Sequence, residues 1–373
     1  MLFFKRIFVV GVLKNFMKPQ ALYIHIPFCS HKCLFCSFVI AIAQTHRIED
    51  YLNRLEKEAK SHQGARLESV YIGGGTPSML SFEQLKRLMT IIRTQYILSD
   101  DCELTMEANP EGIDEVKAAV IKSLGINRIS LGVQSLDDRY LKFLGRKHDA
   151  ARAVAAYNIL RQTGFENINL DLMYAFPSQT REELKRDVRA IASLRSEHLS
   201  LYTLTIEPNS RFHASAMKLD DEETIAEGYL DVISILREYG IHQYEISNFS
   251  KKGFQSRHNQ NYWLGGRYIG LGMGAHGFVG HRRYWNTSKL QDYLNQEEVI
   301  EGFEDLSEET LIMERVLFGL RMNEGIELQI LPSSKKGIVE GFLKEGFLVL
   351  EGPRLKATNK GRLVLDELSA RLI

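Results

Sequence analysis

Cysteine and proline are scarce in this chain, with 4 and 8 in 373 residues, and 47 Lys+Arg against 47 Asp+Glu leave no net charge. Four cysteines are too few for a disulfide-stapled secreted scaffold. A formal charge of +0 removes the electrostatic case for generic nucleic-acid binding, so no nucleic-acid partner is expected. Low-complexity segments are missing, and nothing repeats beyond an alternation of short and long patterns. The apolar run Ile7 to Leu13, after Lys5 and Arg6, is too short to cross a bilayer of about 30 Å. No small-residue cleavage site follows it, and Met17 stands just before the first strand. Residues 1–20 therefore read as an upstream start or a short disordered extension.

What is present suits a globular protein: 44% hydrophobic and 25% charged residues, in a length that allows one large and one small domain. From Leu22 onward, short apolar runs alternate with amphipathic stretches, the pattern of βα units around a parallel sheet. The runs predict strands at Leu22 to Ile26, Ser69 to Ile72, Glu103 to Met106, Arg128 to Gly132, Asn167 to Met173 and Leu199 to Leu204. Helices are predicted between them, at Ile48 to Lys60, Phe82 to Ile92, Asp114 to Leu124, Ala150 to Thr163 and Arg181 to Ser193. Six such units suit a partial barrel better than a short open sheet. Glycine and polar residues follow nearly every strand: the cysteine loop, GGGTPS, Glu107 to Pro110, Gln134 with Ser135, and Glu207 to Asn209. All would gather on one rim as a shared pocket. After the glycine-dense Tyr268 to Gly277, the pattern changes near Leu290 to helix, helix and hairpin, an order like that of a winged helix.

Cys29, Cys33 and Cys36 give C-x-x-x-C-x-x-C on a loop directly after a strand. Three thiolates leave one position of a four-iron cluster open, and an open iron is where a substrate or cofactor can ligate. The alternative is a zinc site completed by His25, His31 or Cys102. Asp171 lies inside the apolar run INLDLMY, and a carboxylate in a buried strand needs polar partners.

The spacing of these cysteines, with the aromatic Phe35 before the last of them, resembles the radical S-adenosylmethionine (radical SAM) superfamily. That resemblance implies a [4Fe-4S] cluster held by Cys29, Cys33 and Cys36, with S-adenosylmethionine on the fourth iron. Tyr23, the cysteine loop, GGGTPS, EANP, ISLGVQS, LGRKH and NLDLMYAFPSQT resemble, in that order, the branch that contains the oxygen-independent coproporphyrinogen III oxidases and the HemW haem chaperones. By carry-over, Tyr23, Phe35, Gly74, Gly75, Thr76, Glu107, Gln134, Arg146 and Asp171 are the expected S-adenosylmethionine contacts. Arg146 has the plainest physical role, since a guanidinium pairs bidentately with a carboxylate.

Two departures separate the chain from the oxidases: Phe38 stands where their pattern has a further cysteine, and their N-terminal segment before the first strand is longer. A positive feature favours the chaperones: His258, Asn259, Tyr262 and Trp263 spell H-N-x-x-Y-W, which resembles the HemW haem signature. A neutral imidazole can ligate haem iron, and aromatics can pack on the macrocycle. His276 is a second candidate ligand, while His25 and His148 have structural roles open to them. The resemblance implies a cytoplasmic haem chaperone of porphyrin metabolism, with a cluster, S-adenosylmethionine and haem as cofactors, that passes haem to apo-haemoproteins of the respiratory chain. Coproporphyrinogen oxidation is the alternative activity; a homodimer and a peripheral membrane contact are left open. The expected fold is α/β, a partial (β/α)6 TIM-like radical SAM barrel over 21–290, with a smaller winged-helix-like C-terminal domain over 291–373.

Overall fold

Alternation of period two along the strands decides which side chains meet the helices and which enclose a cavity. The computed structural model describes residues 18–215, 217–219 and 221–373, so the expected N-terminal extension lies, as far as residue 17, outside the described residues. In RISLGVQ, Ile129, Leu131 and Val133 join the main apolar core, while Ser130, Gly132 and Gln134 line a cavity on the other face. INLDLMY divides in the same way: Ile168, Leu170 and Leu172 enter the core, and Asp171 and Met173 face the cavity. The helices on the apolar face begin where capping chemistry puts them. Ser81 and Thr180 each close a capping box, with Gln84 and Glu183, at the starts of Phe82–Gln95 and Arg181–Ser193.

The six predicted strands run parallel and lie side by side in chain order: Ala21–Ile26 (β1), Arg66–Gly74 (β2), Ile97–Ala108 (β3), Arg128–Gln134 (β4), Ile168–Tyr174 (β5) and His198–Thr203 (β6). A seventh parallel strand, Tyr268–Leu271 (β7), pairs with the free side of β1. Its glycines hide it in the sequence, where the segment reads only as glycine-dense. Antiparallel strands extend both edges: His276–Val279, Arg282–Asn286 and Ile300–Asp305 beyond β7, and Asn248–Ser250 with His242–Gln243 beyond β6. The result is an α/β fold on a mostly parallel sheet of twelve strands. Buried Glu58 fastens the helix Ile48–Ala59 to the β7 side, accepting from Gly272 N (3.0 Å), Tyr293 Oη (2.6 Å) and Asn286 Nδ2 (2.5 Å).

The main sheet takes in Ile300–Asp305, past residue 290. After it, the helices Glu308–Gly319 and Lys336–Lys344 pack with a three-stranded antiparallel sheet, in the helix, strand, helix, hairpin order of a winged helix. Val316, Leu320, Phe342, Leu355 and Leu368 form part of its separate core, against which Ile246 packs. The C-terminal tail forms two helices, Asn359–Leu363 and Leu365–Leu372, broken at Val364.

One short helix closes the N-terminal side of the sheet. Arg257–Trp263 starts at Ser256, and buried Glu103 of β3 accepts from Arg257 N (3.1 Å), His258 N (3.1 Å) and Ser256 Oγ (3.3 Å). A carboxylate here satisfies backbone donors that the helix leaves unpaired. Glu103→Ala strands those donors in a buried place, where an unmet donor costs about 1–3 kcal/mol. Urea unfolding of this variant is expected to show a loss of about 2–4 kcal/mol at an unchanged slope, whereas a loss below about 1 kcal/mol would show that the cap is dispensable.

Candidate functional site

The cysteine loop leaves and rejoins the fold through a two-residue parallel ladder, Phe28–Cys29 with Ala41–Ile42. Its middle is pinned by Leu34, whose N–H donates to Leu144 O (3.0 Å) and whose carbonyl accepts from Phe212 N (3.1 Å). Leu34 and Phe35 pack on a small apolar cluster that includes Tyr140, Leu144, Phe176 and Phe212. So held, Cys29, Cys33 and Cys36 all face one cavity of about 370 Å³ at the C-terminal ends of the parallel strands. Burial pushes the Cys29 thiol up to about 11 and raises Cys36 as well, and the other thiols of the loop add to the effect. Cys29 and Cys36, which resist ionisation alone, are in a position to be ionised by a metal.

The end of β2 forms the adjoining wall. Gly74 takes φ +112°, and its N–H donates to Glu107 Oε2 at 3.0 Å. A Cβ on Gly74 would lie 2.6 Å from the His25 ring, and one on Gly75 2.7 Å from the Pro27 carbonyl. These glycines let the strand end pass close to β1 while it still lines the cavity. Thr76 Oγ1 meets Cys29 Sγ at 3.3 Å and accepts from Asn109 Nδ2 at 3.4 Å.

Glu107 and Asp171 bring two carboxyls to the same cavity. Burial, and then the nearby Asp171, push Glu107 up to about 7, although Tyr71 Oη (2.9 Å) and Gly74 N–H both donate to it. Asp171 is likewise raised by burial, despite donors at Ser130 Oγ (3.0 Å) and Asn169 Nδ2 (2.7 Å). The polar partners expected around a carboxylate in this strand are there.

Arg146 brings a cation against the cysteines. Its Nη1 lies 3.5 Å from Cys33 Sγ, and its Nη2 donates to Asn109 Oδ1 and Gly132 O, both at 2.9 Å. Its buried Nε has no hydrogen-bond partner among the described residues. Gln134, also on the cavity, holds a left-handed φ of +70°, a conformation that side-chain-bearing residues adopt at a cost and that clusters at functional sites.

Of the residues picked out for this pocket, Phe35, Gly74, Gly75, Thr76, Glu107, Gln134, Arg146 and Asp171 line it together with the three cysteines. Tyr23 is not among the lining residues: its hydroxyl bonds His25 Nδ1 (2.9 Å) and its ring stacks on Tyr71, with centroids 6.2 Å apart. Of the zinc alternative only His31 reaches the cavity, with its Nε2 3.7 Å from Cys33 Sγ. Cys102 is buried on β3 away from the cavity, and His25 uses both ring nitrogens, on Tyr23 and on Val39 O (2.7 Å). Among the described residues, no three His, Cys, Asp or Glu side chains are placed to share a single metal ion. His148 is structural, with contacts to Glu111 and Val133 O. Asn109, Tyr71 and Tyr202 were missed. Asn109 sits within EANP, and Tyr202 follows His198 and Ser200 at the inward-facing period of β6, so both left a signal.

The H-N-x-x-Y-W residues come together elsewhere, beneath the cavity. His258 is 1% exposed, and its ring nitrogens meet Ser69 Oγ (3.0 Å) and Tyr262 Oη (2.8 Å). Burial, and then Arg128, hold its imidazole down at about 3, so it is neutral. Tyr262 packs edge-on against His258 and Tyr268. Trp263 turns the other way, toward Phe318 and under the Arg321 guanidinium, and Asn259 is half-buried on the same helix. The expectation of an imidazole offered to haem does not match this arrangement, in which neither nitrogen of His258 is free. His276 is exposed, with its ring stacked on Trp285 at 6.1 Å.

A family model described as the radical SAM superfamily matches residues 23–191. The heme chaperone HemW of Bacillus subtilis (strain 168) is 37% identical over 372 residues, covering 93% of this chain and 97% of that protein. The HemW of Escherichia coli (strain K12) is 39% identical over 268 residues, covering 70% of this chain and 71% of that protein. The chain belongs to the HemW family. A solved structure of coproporphyrinogen III oxidase (HemN) from Escherichia coli, described as a radical SAM enzyme, superposes with a TM-score of 0.84 at 23% identity, covering 98% of this chain and 92% of that one. At that identity, the likeness to HemN is one of fold. The cofactors of the superfamily to which HemW belongs are a [4Fe-4S] cluster and S-adenosylmethionine, and the cavity fits both. It holds three thiols, an arginine whose buried Nε is unpartnered among the described residues, and two carboxyls that burial keeps toward their protonated form.

The Glu107 shift has a definite sign. Its folded value lies above the ordinary 4.5, so the folded chain keeps a proton that the unfolded chain loses, and stability falls as pH rises from about 4.5 through about 7. A shift of this size corresponds to about 3 kcal/mol. Urea midpoints at pH 5 and pH 8 are expected to differ more in the wild type than in Glu107→Gln; equal differences would show that Glu107 ionises as an ordinary carboxyl.

Proposed function

We propose that this protein binds haem and hands it to apo-haemoproteins in the cytoplasm, those of the respiratory chain among them, and that its cavity holds the cluster and S-adenosylmethionine. The observation that carries this reading is the extent of the similarity to proteins named heme chaperone: 37% identity over 93% of the chain, at 97% of the relative's length. Phe38, where the oxidases have a further cysteine, supports it; that side chain is 64% exposed on the cavity wall. Decarboxylation of coproporphyrinogen has only the shared fold in its favour.

In this reading Cys29, Cys33 and Cys36 hold the cluster, which supplies a one-electron centre beside S-adenosylmethionine when both are bound. Arg146 takes the carboxylate of S-adenosylmethionine, its unpartnered Nε leaving donor capacity on that side. Glu107 and Asp171 offer acceptors to its cationic groups. A cation bound at Glu107 favours the ionised carboxyl, so occupancy near pH 7 releases a proton from Glu107. Gly74, Gly75 and Thr76 form the wall beneath, and Phe35 and Gln134 close the sides.

The haem ligand is one of two imidazoles. His258, with Asn259, Tyr262 and Trp263 around it, reaches iron only if its helix opens and its bonds to Ser69 and Tyr262 break. His276 needs no such change.

An anaerobic haemin titration of the cluster-reconstituted protein, followed at the Soret band, tests the reading, with His258→Ala and His276→Ala alongside. Saturable one-to-one binding by the wild type is expected, weakened at least about tenfold in one variant. Loss in His258→Ala counts only if its far-UV spectrum and thermal midpoint show a folded chain. Weak, unsaturating binding by the wild type would overturn the haem reading. A coproporphyrinogen assay that yields protoporphyrinogen would replace it with the oxidase.

A further inference from the structure

A second cavity, of about 250 Å³, lies on the far side of the molecule from the cysteines, where the edge strand His242–Gln243 and the helix Glu222–Glu238 meet the C-terminal unit. Its polar lining is basic and neutral: Arg237, His242, Arg362, Gln243, Asn323 and Asn359, with no aspartate or glutamate. Nothing in the sequence marks it, because its residues come from four separate segments.

Arg362 is the centre of the cavity. It comes from the short helix Asn359–Leu363, and its two terminal nitrogens donate to Gln243 Oε1 and Asn323 Oδ1. Both acceptors are neutral amide oxygens. They fix the guanidinium in place without neutralising it, and among the described residues its buried Nε has no hydrogen-bond partner. Glu245 and Glu324 are near enough to be felt electrostatically, but Glu245 accepts an ion pair from Arg321 (3.2 Å) and neither lines the cavity. The burial penalty shows as a lowered proton affinity of the guanidinium.

A partly desolvated arginine, held by neutral groups and facing an open space, is short of a counter-charge. Two more donors face the same space: among the described residues, Arg237 and His242 make no side-chain hydrogen bond or ion pair. Two guanidiniums and an imidazole around one space are the groups that bind an oxyanion, since guanidinium forks match its oxygens. The space has room for more than one phosphate group.

We propose that this cavity binds a phosphate-bearing small anion, which links Arg237 on the sheet side to Arg362 on the C-terminal unit. The anion completes the charge balance between these two parts of the chain, so its binding stiffens their contact and raises the thermal midpoint.

Isothermal titration of the full-length protein with inorganic pyrophosphate and with inorganic phosphate, at fixed ionic strength, tests this. Arg237→Ala, Arg362→Gln and Arg146→Ala are titrated beside the wild type, and succinate serves as the carboxylate arm. Saturable one-to-one pyrophosphate binding is expected, at least about tenfold weaker in Arg237→Ala and in Arg362→Gln, and unchanged in Arg146→Ala. Arg237 is exposed, so its loss leaves the fold in place even if Arg362→Gln unfolds the unit. No saturable binding, or equal binding by Arg237→Ala and the wild type, overturns the proposal. Loss of binding in Arg146→Ala also overturns it, by assigning the anion to the cysteine cavity. Succinate binding more tightly than either phosphate would overturn the phosphate assignment.

Discussion

Seven parallel strands must serve two environments at once, and their period of two is the constraint from which the site follows. Apolar residues at one parity bury against helices; the other parity is left to enclose a cavity, and there the chain places Glu107, Ser130, Gln134, Asp171 and Tyr202. Polar groups so enclosed need partners. Several on the floor find one another: Asn169 Oδ1 lies 2.6 Å from His198 Nδ1 and accepts from Ser200 Oγ at 3.1 Å, and His198 Nε2 meets Tyr244 Oη at 2.9 Å, whereas Arg128 Nε and Nη2 and Thr105 Oγ1 have no hydrogen-bond partner among the described residues. Those near the rim are only partly satisfied, as the raised Glu107 and Asp171 record.

This parity is also why so much is legible in the sequence. The strands β1 to β6 announce themselves by apolar residues at every second position, and the helices by capping signals such as Ser81 with Gln84. The cysteine spacing and the polar residue after each strand locate the pocket, because a parallel sheet sends the C-terminal ends of its strands to one side. Less legible is what a polar or aromatic residue does once placed. Tyr23 stands at the correct parity but one step too deep, so it braces Tyr71 and His25 instead of lining the pocket. β7 escapes detection because it is only four residues long, YIGL, with Gly270 pressed against the His276 backbone and further glycines directly after it, so little apolar pattern shows. The basic cavity at Arg362 has no local pattern at all, since only the packing of the C-terminal unit against the sheet edge assembles it.

The H-N-x-x-Y-W segment shows how a motif can be read for its letters and misplaced in its surroundings. Its helix is wedged between the sheet floor and the C-terminal unit: Glu103 holds its start, His258 and Tyr262 face the sheet, and Trp263 faces Phe318 and Arg321. To free the His258 ring, two buried hydrogen bonds must break and leave Ser69 and Tyr262 seeking partners, a cost of about 3 kcal/mol. Such a cost lowers the apparent affinity of any ligand at this imidazole about a hundredfold, unless the ligand itself repays it.

The position of Tyr71 gives that cost a functional meaning. Its ring packs on His258 with centroids 5.2 Å apart, and its hydroxyl donates to Glu107 Oε1 at 2.9 Å. One side chain therefore touches both the imidazole of the floor and the carboxyl of the cofactor wall. That hydroxyl is one of the two donors Glu107 has among the described residues, and without it the carboxyl is still harder to ionise. A cation on Glu107 acts in the opposite sense, because it favours the ionised carboxyl and so strengthens the Tyr71 hydrogen bond. Tyr71 thus joins the imidazole of the floor to the carboxyl of the cofactor wall by direct contact, so any rearrangement at His258 has to be accommodated by a side chain that also serves the cavity.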